Sequence, residues 1–469
     1  MAFSIKRYVK TAGTYFVGNV LSKLIAVFLL PIYTAYLSPS EYGFYDVSLT
    51  ILNLVTPIAF AQIWDGMYRF AFDSNSQRDK QRVVNCSLVV CLAGILIFSA
   101  IYIPLAFVFD DYLSPFMWMY GITLPLQYEF TYIARSYFKN VLFSASGVAN
   151  ALLSALLNIV LICGFGWGID SIYLSAAFGN LLQIFAISKS LSIISKFNRF
   201  DLDRKLIVKM VSFSIPLCLS SLSFWLFNGF TKICISLLLG VAENGLYGVV
   251  TRFTSAVTMV ASVFQFAWSE SSYLMANDSN RKVAYSRVCE LLFLVIAAFS
   301  SVFPYVVSAI FPYFVDARYQ SATSLLPLAT VGIAMNTYAS FLSTIFATER
   351  ETRAVLISTI MGAVVNVICS PLFTVLFDLE GSVAALALSY SLMALIRLAL
   401  LRTIVGVRFR VVILAPVILL AISYLTYYQG NSVASAISVA GCCIACATLA
   451  FIEIRSFLAS RTKHQNIVR

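Results

Sequence analysis

Three cations stand in stretches that are otherwise apolar. Lys23 lies in the middle of G-N-V-L-S-K-L-I-A, close to Asn19 and Ser22; Lys232 follows Asn228 and Thr231; Arg252 sits among Thr251, Thr254 and Ser255. An ionisable side chain at membrane depth costs roughly 2.5–3.5 kcal/mol on insertion scales and usually faces a bundle interior. Arg presents a planar fork of donors and Lys a compact point charge, and both suit the oxygens of a phosphate. A low-dielectric wall strengthens the attraction. The pattern points to substrate-binding cations that line a cavity and hold an anion. The alternative is pairing with a buried acid, or snorkelling, which is open to Arg252 near the end of its run and hard for Lys23.

The acids are fewer. Glu129 is central in L-Q-Y-E-F-T-Y, flanked by Gln127 and Thr131. It reads as a charge partner for a cavity cation or as a protonatable coupling site. Asp65 and Arg69 are four apart near the end of one run, a spacing that allows an ion pair on one helix face, and they are expected to form a gate. Arg135, Glu270 and Glu290 also lie near run ends. Ten Cys fall inside apolar runs and the one His, His464, is in the tail. Metal-ligand spacing and a disulfide framework are therefore not expected. Neither is a catalytic site or cofactor, and no nucleotide-binding G-x-x-x-x-G-K-[ST] occurs.

The elements that carry these residues follow from composition. The 469 residues are 60% hydrophobic and 11% charged, with mean hydropathy +0.87. Soluble domains are about 45–50% apolar and about 25% charged. Lipid is the solvent that such a surface requires. About 20 apolar residues span a bilayer as helix, and fourteen such runs are legible: 11–36, 45–68, 83–109, 116–138, 143–165, 171–190, 207–239, 246–270, 288–314, 322–346, 354–377, 381–401, 410–428 and 433–455. The first is too long for a signal peptide and is expected to be retained.

The breaks alternate in charge. One set carries Arg78, Lys80, Arg82, Lys139, Lys189, Lys196, Arg204, Lys205, Arg281, Lys282, Arg353 and Arg402. The other carries Glu41, Asp110, Asp111, Asp170, Glu243, Asp378 and Glu380, with Arg318 beside Asp316 as the exception. Basic loops stay cytoplasmic, so both termini are expected in the cytoplasm. The net charge of +11 comes from these loops and does not imply nucleic acid.

An internal repeat divides the chain. Leu37–Tyr45 and Leu239–Tyr247 both read L-x-x-x-E-x-G-[FL]-Y. Asp73-Ser74-Asn75 recurs as Asp278-Ser279-Asn280, Leu157-Asn158-Ile159 as Val365-Asn366-Val367, and the acidic turn at Asp170 as that at Glu380. The offsets of 202, 205, 208 and 210 drift slowly. Six helices return a chain to its starting side, so the repeat is of the parallel type. The expected fold is an all-α polytopic membrane protein. It has a six-helix lobe over residues 1–190, a cytoplasmic linker over 191–206, a second six-helix lobe over 207–403, and two further helices and a tail over 404–469. Glu41 and Glu243 are expected to cap the helices that follow, and Gly43 and Gly245 to serve tight turns. Of the prolines within runs, Pro31, Pro57 and Pro216 are candidate hinges.

The stretch Leu30-Pro31-Ile32-Tyr33-Thr34-Ala35-Tyr36-Leu37-Ser38-Pro39-Ser40-Glu41-Tyr42-Gly43 resembles the Wzx-type polysaccharide transporters, the O-antigen flippase family. These belong to a superfamily with the lipid II flippases and the MATE exporters. The L-N-[IV] segments and the paired six-helix arrangement extend the resemblance over nearly the whole chain. It implies a non-enzymatic flippase that carries an undecaprenyl-diphosphate-linked oligosaccharide from the cytoplasmic to the periplasmic leaflet of a bacterial inner membrane. It also implies an inter-lobe cavity lined by the first, seventh and eighth helices, which hold Lys23, Lys232 and Arg252. Membrane lipids are expected partners, with a polysaccharide polymerase and a chain-length regulator as further candidates. A MATE-like exporter and a membrane polysaccharide polymerase stay open as alternatives. The first would want an acidic cavity, and the second a sizeable loop carrying its chemistry. The charge alternation predicts that alkaline phosphatase fused after Asp170 is active and fused after Lys282 is inactive; the opposite pattern would invert the topology.

Overall fold

The computed structural model describes residues 25, 28–74, 76–109, 112–198, 202–274, 281–349, 351–407, 414–430 and 432–467. Among them the secondary structure is helical throughout. In chain order the helices are α1 (Leu30–Tyr36), α2 (Pro39–Ala59), α3 (Ile63–Asp73), α4 (Gln77–Val108), α5 (Pro115–Ser136), α6 (Asn140–Ile159) and α7 (Ile169–Leu191). They continue as α8 (Arg204–Leu238), α9 (Val241–Leu274), α10 (Arg281–Phe314), α11 (Leu326–Thr348), α12 (Thr352–Leu400), α13 (Leu414–Tyr428) and α14 (Ser432–Ile467).

Each apolar run carries helix. Among the described residues, eight helices are long and apolar enough to cross a membrane, and the pair α2–α3, bent by 48°, makes a ninth. The expected fourteen runs map onto these differently. The first run lies mostly outside the described residues. Two runs share α12, which bends at Phe377 and Asp378, where φ turns to 51° at Asp378. A Cβ on Gly381 would lie 1.9 Å from the Phe373 carbonyl oxygen, so only glycine lets the arms of that bend close.

Local sequence explains where the helices begin. Ser38 Oγ accepts from the Glu41 amide at 3.2 Å, and Glu41 Oε2 accepts from the Ser38 amide at 2.8 Å. With Pro39 in the first turn, this capping box starts α2. Ser76 and Ser114 cap α4 and α5 through the amides of Asp79 and Met117. Gly43 and Gly245 are not turn residues, contrary to expectation. The helices begin at Pro39 and Val241, so both glycines are already inside. The turn before α9 is made at Gly240, where φ is +106°. Gly240 has no side chain to cap with, and Glu243 stands in the first turn of α9 without a capping box. Burial, then the carboxylates of Glu380 and Asp378, hold the Glu243 carboxyl above its ordinary range.

The chain forms two compact units, Met1–Trp225 and Leu226–Arg469. The division falls inside α8, later than the polar segment 191–206. The first part of α8 is fastened to the first unit: the Gly66 amide donates to Ser214 Oγ at 3.1 Å, and Trp225 Nε1 donates to the Thr50 carbonyl at 2.8 Å.

The first unit is knit by neutral polar groups. Gln183 on α7 accepts from Gln127 on α5 and from Asn150 on α6, both at 2.9 Å. Asn150 also donates to Asn180 at 3.1 Å. Tyrosines from four helices pack at the other contacts, with Tyr45 5.8 Å from Tyr173 and Tyr33 6.3 Å from Tyr42. In the second unit α13 and α14 pack on α10, and Tyr424 on α13 donates to the Ser300 carbonyl at 3.0 Å.

The paired asparagines of the repeat do matching work. Asn158 on α6, fully enclosed, donates to the Tyr33 hydroxyl on α1 at 3.1 Å. Asn366 on α12, equally enclosed, donates to the Phe227 carbonyl at 2.9 Å and to Thr231 Oγ1 at 3.0 Å on α8. Each ties the fifth run of its unit to the first. Side-chain hydrogen bonds in membrane proteins average about 0.6 kcal/mol and reach about 1.7 kcal/mol. Asn366→Ala is expected to cost about 1–2 kcal/mol and Asn158→Ala about half that, measured as equilibrium unfolding in mixed micelles. Equal stability of both variants and the parent would remove this role.

Candidate functional site

Lys23 lies outside the described residues. The other two expected cations fall in the second unit. Lys232 is on α8, one turn beyond Asn228, and Arg252 is on α9, next to Thr251; both are half-buried. A cavity of about 150 Å³ is lined by Asn228 of α8, by Tyr247, Thr251, Thr254, Ser255 and Thr258 of α9, and by mainly aliphatic residues of α11 and α12 with Gly332 and Tyr390 among them. Thr251, Ser255 and Thr258 recur at helical spacing, which puts them on one face of α9. The Asn228 carboxamide and the Tyr390 hydroxyl are hydrogen-bonded. Hydroxyls and an amide are thus gathered in the cavity, on the two helices that carry Lys232 and Arg252.

Glu129 is fully buried in the first unit. Ser87 Oγ on α4 donates to its Oε1 at 2.6 Å, and its Oε2 has no hydrogen-bond partner. Among the described residues no basic side chain pairs with it. A buried carboxyl with one empty oxygen has the capacity to take a proton or a small cation.

Asp65 and Arg69 do not pair, although the spacing allows it. Arg69 instead binds Asp73, one turn further on, at 3.1 Å, and both side chains are more than half exposed. Asp65 accepts from Gln62 Nε2 at 2.6 Å and is hydrogen-bonded by Tyr132 on α5. The reason is competition: Arg69 has an acid at i+4 as well as at i−4, and the i+4 acid is the solvated one. An exposed pair of this kind contributes only about 0–1 kcal/mol.

Two basic residues have roles that sequence reading missed. Arg135 lies over the rings of Tyr68 and Tyr132, 5.1 and 5.2 Å from their centroids, so it is held by aromatic faces. Arg397 on α12 is 3% exposed. It donates to the Ala339 carbonyl at 2.6 Å, Ser343 Oγ at 2.7 Å, Thr359 Oγ1 at 2.9 Å and Ser358 Oγ at 3.0 Å. Its fork joins α11 to both arms of α12 with neutral acceptors only. The signal was an Arg in S-L-M-A-L-I-R-L-A-L. The acceptors, scattered over two other runs, gave none.

Comparison with known proteins places this geometry. A family model described as "Polysaccharide biosynthesis protein" matches residues 8–268. The solved lipid II flippase MurJ, in an inward closed conformation, superposes with a TM-score of 0.67 at 15% identity, covering 98% of this chain and 100% of that one. An inward-facing multidrug resistance MATE family transporter of the MOP superfamily gives 0.67 at 14% identity, covering 82% and 94%. A MOP superfamily transporter from Pyrococcus furiosus, described as having a binding pocket of reversed polarity, gives 0.52 at 15% identity, covering 85% and 95%. No curated protein sequence matches the chain significantly. The fold is that of the MOP-superfamily transporters.

Proposed function

Since the chain belongs to the polysaccharide biosynthesis protein family, we propose that it is a flippase for an undecaprenyl-diphosphate-linked oligosaccharide. The cargo moves from the cytoplasmic to the periplasmic leaflet of a bacterial inner membrane and serves a surface polysaccharide such as O-antigen, capsule or exopolysaccharide. The observation that supports this reading is the placement of Lys232 and Arg252 on α8 and α9, the successive helices that supply Asn228 and the hydroxyl residues of one cavity.

The physical sequence runs from charge to motion. A diphosphate cannot enter hydrocarbon with its charge bare. Lys232 and Arg252 replace the water that it loses. Arg252 grips through paired donors and Lys232 as a point charge. The prenyl chain needs no site of its own, because lipid already solvates it. An inside-negative potential favours the outward step of an anion by ~2.3 kcal/mol per charge per 100 mV. Glu129, with an empty oxygen in an apolar setting, is the group to couple that cycle to a proton or cation. This mechanism forms and breaks no covalent bond.

The double variant Lys232→Ala/Arg252→Ala is expected to reach the membrane in normal amount and to abolish surface polysaccharide. Lipid-linked saccharide should accumulate on the cytoplasmic face, as measured in a flippase-null strain carrying the variant. Arg252→Lys should retain part of the activity, because the charge survives and the fork does not. Full complementation by the double variant would refute the reading. Normal polysaccharide with a loss of resistance to cationic drugs would favour the exporter alternative.

A further inference from the structure

The cavity on the helices that carry Lys232 and Arg252 contains groups that a phosphate does not need. Its lining is neutral: aliphatic residues of α11 and α12, among them Leu328, Ile333 and Leu386, make the larger part, and Asn228, Tyr247, Tyr390 and the hydroxyl residues of α9 make the rest. The α9 hydroxyls have already placed their protons. Thr251 donates to the Gly248 carbonyl at 2.8 Å, Ser255 to Arg252 and Thr258 to Ser255, both at 2.7 Å. Each keeps oxygen lone pairs free for an incoming donor. The cavity therefore has a strip of acceptor oxygens along α9, one amide and two tyrosines, set in a wall that is otherwise aliphatic.

We propose that this cavity receives one sugar ring of the headgroup, the ring next to the diphosphate held by Lys232 and Arg252; the inference rests on the flippase reading. A sugar ring has hydroxyl donors around its edge and an apolar face of C–H groups. The first match the threonine and serine oxygens, and the second matches a tyrosine ring. Tyr390 is held for this task, stacked on Phe227 with centroids 4.9 Å apart and planes 11° from parallel. The volume of about 150 Å³ corresponds to roughly ten water-sized spheres, which accommodates one ring and excludes a whole oligosaccharide. A sodium ion would also accept hydroxyl oxygens as ligands. It is the poorer occupant here, because no carboxylate lines the cavity and most of its wall is apolar.

The test compares two probes on purified full-length protein in lipid nanodiscs. One is the lipid-linked saccharide extracted from cells that lack this protein; the other is undecaprenyl diphosphate without sugar. Thr251→Val/Thr258→Val keeps side-chain shape, and the hydroxyls it removes serve their own helix only by back-bonding, so α9 is expected to stay folded. This variant should bind the saccharide-bearing lipid about tenfold more weakly, as the loss of one or two hydrogen bonds implies. Its affinity for the sugar-free lipid should be unchanged. Asn228→Ala should show the same split, whereas Arg252→Ala should weaken both probes. Equal weakening of both probes by the threonine variant, or no weakening of either, would overturn the proposal. So would saturable binding of sodium that the variant loses. Failure of the parent protein to bind either probe would count against the flippase reading itself.

Discussion

The bilayer interior offers no water, so every polar group placed there must find its partner within the protein. The rest of this structure depends on that constraint. It explains why the helices are held together by a few polar knots: the neutral Gln127–Asn150–Gln183 cluster in the first unit and the Arg397 guanidinium with its hydroxyl acceptors in the second. It also gives meaning to groups that lack such a partner. Glu129 Oε2 is such a group, a buried carboxylate oxygen with no hydrogen-bond partner.

The two units solve one packing problem with different residues. Asn158 and Asn366 occupy matching positions in the repeat, and each ties its helix to the first of the unit. Elsewhere the copies have diverged. The capping box of Ser38 and Glu41 has no counterpart at Gly240 and Glu243. The first unit joins its helices through carboxamides, while the second uses a guanidinium.

Much of this was legible in the sequence because it depends on local pattern. Apolar runs and basic breaks locate the helices, S-P-S-E starts α2, and the recurring L-N-[IV] and V-N-V segments mark the asparagine ties. Lys232 and Arg252 were visible as charges among small hydroxyl residues. What escaped depends on which of several allowed neighbours wins. Arg69 had two acids at helical spacing, and only the fold shows that Asp65 is occupied by Gln62 and Tyr132. Gly43 looked like a turn residue because the helix start, five residues earlier at the Ser38 cap, was set by hydrogen bonds that sequence gives no coordinates for. Arg397 was hidden by its acceptors, which come from Ala339, Ser343, Ser358 and Thr359 on separate runs.

The central claim is that buried positive charge lets an anionic lipid headgroup cross while its chain stays in oil. Purified protein reconstituted in vesicles, loaded on one leaflet with fluorescent prenyl-diphosphate-linked saccharide, gives the direct measurement when a potassium gradient with valinomycin sets the membrane potential. Transfer should exceed that of protein-free vesicles and should quicken when the potential repels the anion from the loaded side. Transfer no faster than in empty vesicles, at either polarity, would contradict the account.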